Sequence, residues 1–229
     1  MKYLRAIVFF LATTLIYLGL PLLGWGLDNL RGFFSLAPRA GYALSVAVFA
    51  AAVGIQALAG TEGIRGGRGE ESKLNRRESI VRVVLVVGLY LAITFIPFAD
   101  RRGIAVIPEP AVLRWLGVAL GALGYGLVFW SGLALGRQYS AEVTIQKNHR
   151  VITTGPYRWI RHPRYLGVLA LAVGVSLTFR SWIGLAAVVA VFGILLLRIS
   201  DEESLLHQEF GTEWEAYCRT SSRLLPGIF

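Results

Sequence analysis

The sequence predicts an all-α, polytopic membrane protein of about six transmembrane helices, ending in a helical hairpin and a C-terminal helical tail. Of its 229 residues, 55% are hydrophobic and only 16% are charged, and the mean hydropathy is +0.59. This composition is too apolar for a soluble domain of that length. Apolar runs of about 20 residues, the length that crosses a bilayer as a helix, recur along the chain.

Four apolar stretches without acidic residues are long enough to span a bilayer: 6–24, 41–60, 80–99 and 112–135. Two shorter runs follow, 165–179 and 182–197, and only Arg180 and Ser181 separate them. This spacing predicts a tight helical hairpin whose first arm is short for a complete span. The fourth stretch carries small residues that predict close helix packing: Gly117, Gly121, Gly124 and Gly126.

We divide the chain into two parts. The N-terminal part, 1–111, holds three spans, and the C-terminal part, 112–229, holds three more. The C-terminal part also contains two polar segments, a loop over 136–164 and a tail over 198–229. Both are longer than a connection requires, and segments of this kind are where membrane proteins place functional residues.

The positions of Lys and Arg predict that both termini lie in the cytosol, because the cytosolic side collects positive charge. With this orientation, the inner connections and termini hold most of the basic residues, and the outer connections hold five: Arg31, Arg39, Arg101, Arg102 and Arg180. The chain is then a multi-pass integral membrane protein, of the inner membrane if it is bacterial. The formal charge of +9 lies in short connections that face an anionic leaflet, which argues against a nucleic-acid partner.

The loop combines residue types that suit a polar ligand with an aromatic base. It contains Gly155-Pro156-Tyr157 and, shortly after, Arg161-His162-Pro163. Glycine lets the backbone approach a ligand closely, proline fixes the chain path, and aromatic rings offer flat apolar surfaces beside cations. Trp, Tyr and Arg also serve as ordinary interfacial anchors, and this simpler interpretation stays open.

In the tail, Arg198 and Glu202 share one face if the last helix continues past Leu197. A surface salt bridge is the simple interpretation. The functional one is that Glu202 accepts hydrogen bonds from ribose hydroxyls or offsets a sulfonium charge, while Arg198 binds a carboxylate. An apolar stripe at helical spacing follows, for which we predict a packing role: Leu206, Phe210, Trp214 and Tyr217.

Together, the loop and the tail resemble the isoprenylcysteine carboxyl methyltransferase and phospholipid methyltransferase superfamily of membrane enzymes. The first three spans carry no signature of this family. The resemblance lies in the order and spacing of five segments: His149–Tyr157, Arg161–Gly167, Asp201–Glu203, Phe210-Gly211 and Leu225–Ile228.

The resemblance implies that S-adenosyl-L-methionine binds on the cytosolic side and that a lipophilic acceptor reaches it from the bilayer. It assigns Arg198 to the substrate. It assigns the cofactor site to eleven residues, of which Gln146 is the nearest candidate for a family glutamine: Gln146, His149, Arg150, Val151, Ile152, Tyr157, His162, Pro163, Arg164, Tyr165 and Glu202. Arg164 departs from the family pattern, which often has a small or apolar residue after the His-Pro pair.

The chemistry agrees with this set of residues. A sulfonium methyl group is already activated, so its transfer mainly needs an aligned nucleophile about 3 Å away and exclusion of water. A carboxylate acceptor is ionised at pH 7 and needs only orientation, for which Arg198 and Arg161 are the catalytic candidates. An amine acceptor would need a base, with Glu203 or His162 as candidates. The expected reaction is carboxyl O-methylation of an isoprenylcysteine-like small molecule or protein C-terminus, with lipid amine or thiol methylation as alternatives.

Two other classes remain open. The tail segments Glu213–Cys218 and Arg223–Pro226 also resemble the C-termini of membrane sterol reductases, which would require a nicotinamide cofactor. A non-enzymatic scaffold or transporter would place polar residues near the bilayer midplane, whereas Gln56, Arg82 and Arg114 lie toward the ends of their spans. A lone cysteine, Cys218, excludes an intramolecular disulfide and predicts no metal site.

Overall fold

The computed structural model describes residues 2–59, 76–108, 111–136 and 151–227, with side chains from residue 83 onward in the second range. The described residues are mainly helical, which confirms the predicted all-α class. The helices are α1 (Lys2–Thr14), α2 (Leu20–Trp25), α3 (Leu30–Phe34), α4 (Ala37–Ala59), α5 (Arg76–Arg102), α6 (Ala111–Leu135), α7 (Pro163–Thr178), α8 (Trp182–Phe210) and α9 (Thr212–Thr220).

The chain is a multi-pass integral membrane protein. Among the described residues, five helical stretches are long and apolar enough to cross a bilayer: Lys2–Trp25, Ala37–Ala59, Val83–Arg102, Ala111–Leu135 and Trp182–Phe210. The first consists of α1 and α2 joined by the π-helical turn Leu15–Gly19. The helix α7, with 16 residues, is the short first arm that the sequence predicts for the hairpin.

The hairpin between α7 and α8 turns at Arg180, which has a φ of 50°, a left-handed conformation that is uncommon outside glycine. Hydrogen bonds to the connection between α5 and α6 hold this turn. The Ile107 amide donates to the Arg180 carbonyl at 2.7 Å, and the Trp182 amide donates to the Ala105 carbonyl at 3.0 Å. The predicted tight hairpin is therefore confirmed, and it is also tied to the preceding spans.

Glycines bring α6 and α7 into close contact. A Cβ built on Gly117 would lie 2.5 Å from the Thr178 amide nitrogen, and one on Gly124 would lie 2.6 Å from the Leu171 amide nitrogen. Around Gly126, no atom of another described element lies within 4 Å of a Cβ. The predicted packing role is thus confirmed at Gly117 and Gly124 and is wrong at Gly126, which faces away from α7.

A buried ion cluster joins the helices at the end of the bundle opposite to the loop and tail. Its centre is Asp100 of α5, whose side chain is 1% exposed. Arg114 of α6 binds both Asp100 oxygens at 3.0 Å, Arg180 binds Oδ1 at 3.1 Å, and Arg39 Nη1 of α4 lies 3.6 Å from Oδ2. A buried carboxylate is tolerated only when it is paired. Because its partners here come from α4, α6 and the turn between α7 and α8, the cluster holds these elements in fixed relative positions.

Candidate active site

The backbone of the loop pairs with the tail near the start of α7. The Arg161 amide donates to the Ser222 carbonyl at 2.7 Å, the His162 amide donates to the Arg223 carbonyl at 3.0 Å, and the Ser222 amide donates to the Trp159 carbonyl at 2.9 Å. The described parts of the two polar segments, 151–164 and 198–227, therefore pack together.

The helix α9 also packs on the loop. Its Tyr217 hydroxyl donates to the Tyr157 carbonyl at 2.6 Å, and Tyr157, Trp214 and Tyr217 are all buried. The apolar stripe predicted for the tail does not follow one helix, because Gly211, with a φ of 48°, ends α8 and precedes α9. The predicted packing role is confirmed for Trp214 and Tyr217, but the helical continuity is wrong.

Glu203 of α8 forms ionic contacts with the loop and with the segment that follows α9, and its side chain is only 11% exposed. Its Oε1 accepts a hydrogen bond from Arg161 Nε at 2.9 Å and lies 3.3 Å from His162 Nε2. Its Oε2 accepts a hydrogen bond from Arg223 Nε at 2.8 Å. Sequence reasoning considered Glu203 only as a general base and missed this structural role.

Glu203 lies beyond the apolar stretch of α8, and its surroundings hold it in the ionised form. Burial opposes ionisation, but hydrogen bonds from His162 and Arg161 outweigh this effect and lower the pKa of Glu203 to about 2. A carboxylate with so low a pKa is a weak proton acceptor at neutral pH. The arrangement therefore disfavours Glu203 as the base for an amine acceptor.

The ionised Glu203 should make the protein's stability depend on pH. Its ordinary pKa is 4.5 and its folded pKa is about 2, so its stabilising contribution is complete above pH 4.5 and is lost as the pH falls toward 2. We expect Glu203→Gln to lower the melting temperature at pH 7 and to reduce the loss of stability between pH 5 and pH 3. Thermal unfolding of both proteins in detergent checks this. An equal decline on acidification in the two proteins would contradict the assignment.

Tyr165 connects the two tail residues that the sequence places on one helical face. Because α8 continues to Phe210, the predicted proximity of Arg198 and Glu202 is confirmed. The Tyr165 hydroxyl accepts a hydrogen bond from Arg198 Nε at 2.9 Å and donates one to Glu202 Oε2 at 2.9 Å. The His162 ring stacks on the Tyr165 ring with centroids 5.6 Å apart, and His162 Nδ1 lies 3.9 Å from Glu202 Oε2.

The structure thus brings His162, Tyr165, Arg198 and Glu202 together at the end of the apolar part of α8. Pro163 occupies the first position of α7, where its fixed φ favours helix initiation. The neighbouring Arg164 is half-buried in the first turn of the same helix.

The remaining candidates are more peripheral or lie outside the described residues. The Arg161 guanidinium contacts Glu203 and the carbonyls of Cys218 and Ser221, so it holds the loop on the tail. Val151 and Ile152 are half-buried, and Val151 lines an open cleft of about 540 Å³ against α9. Three candidates fall outside the described residues: Gln146, His149 and Arg150.

Part of the candidate site lies within a segment that matches a known family. Residues 117–208 match the model of the isoprenylcysteine carboxyl methyltransferase (ICMT) family. The C-terminal half of this chain carries an ICMT-family segment. The match includes His162, Tyr165, Arg198 and Glu202, and it confirms the superfamily resemblance based on the loop and tail motifs.

Individual relatives match about half of the chain. A probable protein-S-isoprenylcysteine O-methyltransferase of Oryza sativa subsp. indica is 31% identical over 119 residues, which cover 51% of this chain and 62% of the relative. The human protein-S-isoprenylcysteine O-methyltransferase is 28% identical over 127 residues, 53% of this chain and 45% of the relative. The uncharacterized protein YpbQ of Bacillus subtilis is 26% identical over 97 residues, 41% of this chain and 57% of the relative. This chain thus spans less than two thirds of the length of each of these relatives.

Among solved structures, the eukaryotic intramembrane Ras methyltransferase ICMT is similar to this chain with a TM-score of 0.48 and 19% sequence identity. That similarity covers 98% of this chain and 94% of the solved chain.

Proposed function

We propose that this chain transfers a methyl group from S-adenosyl-L-methionine to a lipophilic acceptor at the membrane–cytosol interface. The proposed reaction is carboxyl O-methylation of an isoprenylcysteine-like small molecule or protein C-terminus. The proposal rests on the two hydrogen bonds that link the side chains of Arg198, Tyr165 and Glu202. These residues lie in the family segment, where the apolar part of α8 ends.

The residues around Glu202 fit the methyl donor. The Glu202 side chain is 32% exposed, compared with 11% for Glu203, so its oxygens remain accessible to a ligand. Beside it lie the stacked rings of His162 and Tyr165. A carboxylate next to flat rings is suited to a ligand that carries a ribose, an aromatic base and a positive charge. The bound donor supplies an activated sulfonium methyl group.

Arg198 is suited to orient the acceptor. An ionised carboxylate needs no base, only alignment with the methyl carbon, and a planar guanidinium provides that alignment. Exposed apolar side chains on the same helix lead along the bilayer toward Arg198, including Val189, 71% exposed, and Leu197, 58% exposed. A prenyl chain in the lipid phase would therefore bring its terminal carboxylate to Arg198. In this proposal the loop, the tail and both chain termini face the cytosol.

Binding of S-adenosylhomocysteine, the product form of the donor, tests the cofactor assignment. We expect calorimetric titration of the detergent-purified protein to show binding of S-adenosylhomocysteine. Glu202→Gln should weaken this binding, whereas Glu209→Gln on an exposed position of the same helix should not. Binding of NADPH without S-adenosylhomocysteine would instead support a reductase and contradict methyl transfer.

The acceptor assignment predicts a selective effect of Arg198→Ala. Loss of a hydrogen bond between charged groups should reduce kcat/KM for a prenylcysteine carboxylate by about ten- to thirtyfold. Labelled methyl transfer to a prenylcysteine, a lipid amine and a small thiol measures the preference among acceptors. Arg219→Ala, on an exposed position of α9, is the matched control. Unchanged turnover in Arg198→Ala would refute the role of Arg198, and transfer to the amine alone would refute the carboxylate acceptor.

A further inference from the structure

The hydroxyl group of Tyr165 has contacts on both sides of the proposed reaction. It accepts a hydrogen bond from Arg198 Nε, on the acceptor side, and donates its own proton to Glu202 Oε2, on the donor side, each at 2.9 Å. A phenol can donate one hydrogen bond while it accepts another. Both bonds cross from α7 to α8, so the two ligand-facing side chains of α8 share one anchor on α7.

We propose that Tyr165 is a positioning residue that couples the acceptor site to the methyl-donor site. This inference rests on the proposed function and adds a specific claim to it: the orientation of Arg198 affects donor binding at Glu202 through the Tyr165 hydroxyl. In a chain of hydrogen bonds, each bond polarises and orients the next. A change at Arg198 therefore alters the bond that Tyr165 donates to Glu202.

The Tyr165 ring itself is held independently of its hydroxyl. It stacks on His162 at an interplanar angle of 14°, and His162 Nε2 lies 3.3 Å from Glu203 Oε1. Glu203 is held in turn by Arg161 and Arg223. Tyr165→Phe should therefore keep the stacked ring in place and remove only the two hydrogen bonds.

Arg198 and Glu202 also interact directly through their charges, without the Tyr165 hydroxyl. Arg198 and Glu202 are four residues apart on α8, so the positive charge of Arg198 acts on Glu202 through space as well. That direct attraction does not depend on the hydroxyl and persists in Tyr165→Phe. Coupling through hydrogen bonds therefore requires the Tyr165 hydroxyl, whereas direct electrostatic coupling between Arg198 and Glu202 does not.

The test is a double-mutant cycle with S-adenosylhomocysteine as the ligand, measured by calorimetry on the full-length protein in detergent. We expect Arg198→Ala to weaken binding by roughly three- to tenfold when Tyr165 is present, within the range of coupling between contacting residues. In the Tyr165→Phe background, the same substitution should change the dissociation constant by less than about twofold. The effect of Arg198→Ala on donor binding would then depend on the hydroxyl group of Tyr165.

Tyr90→Phe, at an exposed position of α5, is the matched control and should leave the effect of Arg198→Ala unchanged. Thermal unfolding of each variant confirms that it is folded before titration. Equal factors in the wild-type and Tyr165→Phe backgrounds would overturn the coupling and leave the proposed function intact, as would no effect of Arg198→Ala on donor binding. Absence of S-adenosylhomocysteine binding to the wild-type protein would overturn both.

Discussion

Asp100→Asn is expected to lower the free energy of unfolding by about 3–5 kcal/mol, the usual effect of removing one partner from a buried ion pair. Asparagine has nearly the same shape as aspartate but no charge. The substitution leaves Arg39, Arg114 and Arg180 gathered around a neutral group at a site where Asp100 is 1% exposed. Buried charges without a counter-charge are costly, so we expect severe loss of folded protein.

Thermal unfolding in detergent and the yield of folded protein measure this effect. The matched control is Asp28→Asn, which removes a carboxylate that binds Arg101 at 2.5 Å but is itself 69% exposed. Exposed ion pairs contribute little to stability, so the control should unfold close to the wild-type temperature. Asp100→Glu, which keeps the charge, should recover part of the stability. A melting temperature of Asp100→Asn equal to that of the wild type would contradict the role of the cluster.

Gly124→Ala is expected to cost about 3 kcal/mol, the upper part of the usual range for overpacking. The new Cβ would lie 2.6 Å from the Leu171 amide nitrogen and 2.7 Å from the Gly167 carbonyl oxygen. Both are backbone atoms of α7, which cannot move aside as a flexible side chain can. The helices α6 and α7 would have to separate, and α7 carries Tyr165 near its beginning.

Gly126→Ala makes the same change on the same helix, at a position where the new Cβ has no neighbour within 4 Å from the other helices that the structure describes. We expect no loss of stability there and unchanged binding of S-adenosylhomocysteine. Gly124→Ala should lower both the melting temperature and the affinity for that ligand. If the two variants unfold at the same temperature, close packing of α6 on α7 does not contribute to stability.

The sequence alone determines the helical, membrane-spanning character of this protein. In a bilayer every backbone amide and carbonyl must find a partner within the protein, and an apolar segment satisfies them by forming a helix. That requirement acts on each segment separately, so run length and the absence of acidic residues locate the spans. The short first arm of the hairpin is visible for the same reason, because Arg180 and Ser181 interrupt the apolar sequence.

Part of the candidate site also follows from the geometry of a single helix and from short sequence motifs. Arg198 and Glu202 lie on one face because residues four apart always do so in an α-helix. The motif around His162 and Pro163 is recognisable by its order along the chain, and Pro163 does begin α7. Geometry within one helical turn is therefore predictable without knowledge of the fold.

Only the tertiary structure decides what these residues contact. Arg161 reaches Glu203, 42 positions along the chain, and Arg180 reaches Asp100, 80 positions away. From the sequence, Glu203 is an available base. In the structure it is buried, which by itself raises its pKa, but hydrogen bonds from His162 and Arg161 outweigh burial and lower the pKa to about 2. Burial and pairing depend on which helices pack together, and the contacts that decide this lie far apart in sequence. For that reason Tyr165, a cofactor candidate by motif alone, is recognised as the link between Arg198 and Glu202 only once α7 and α8 are placed side by side.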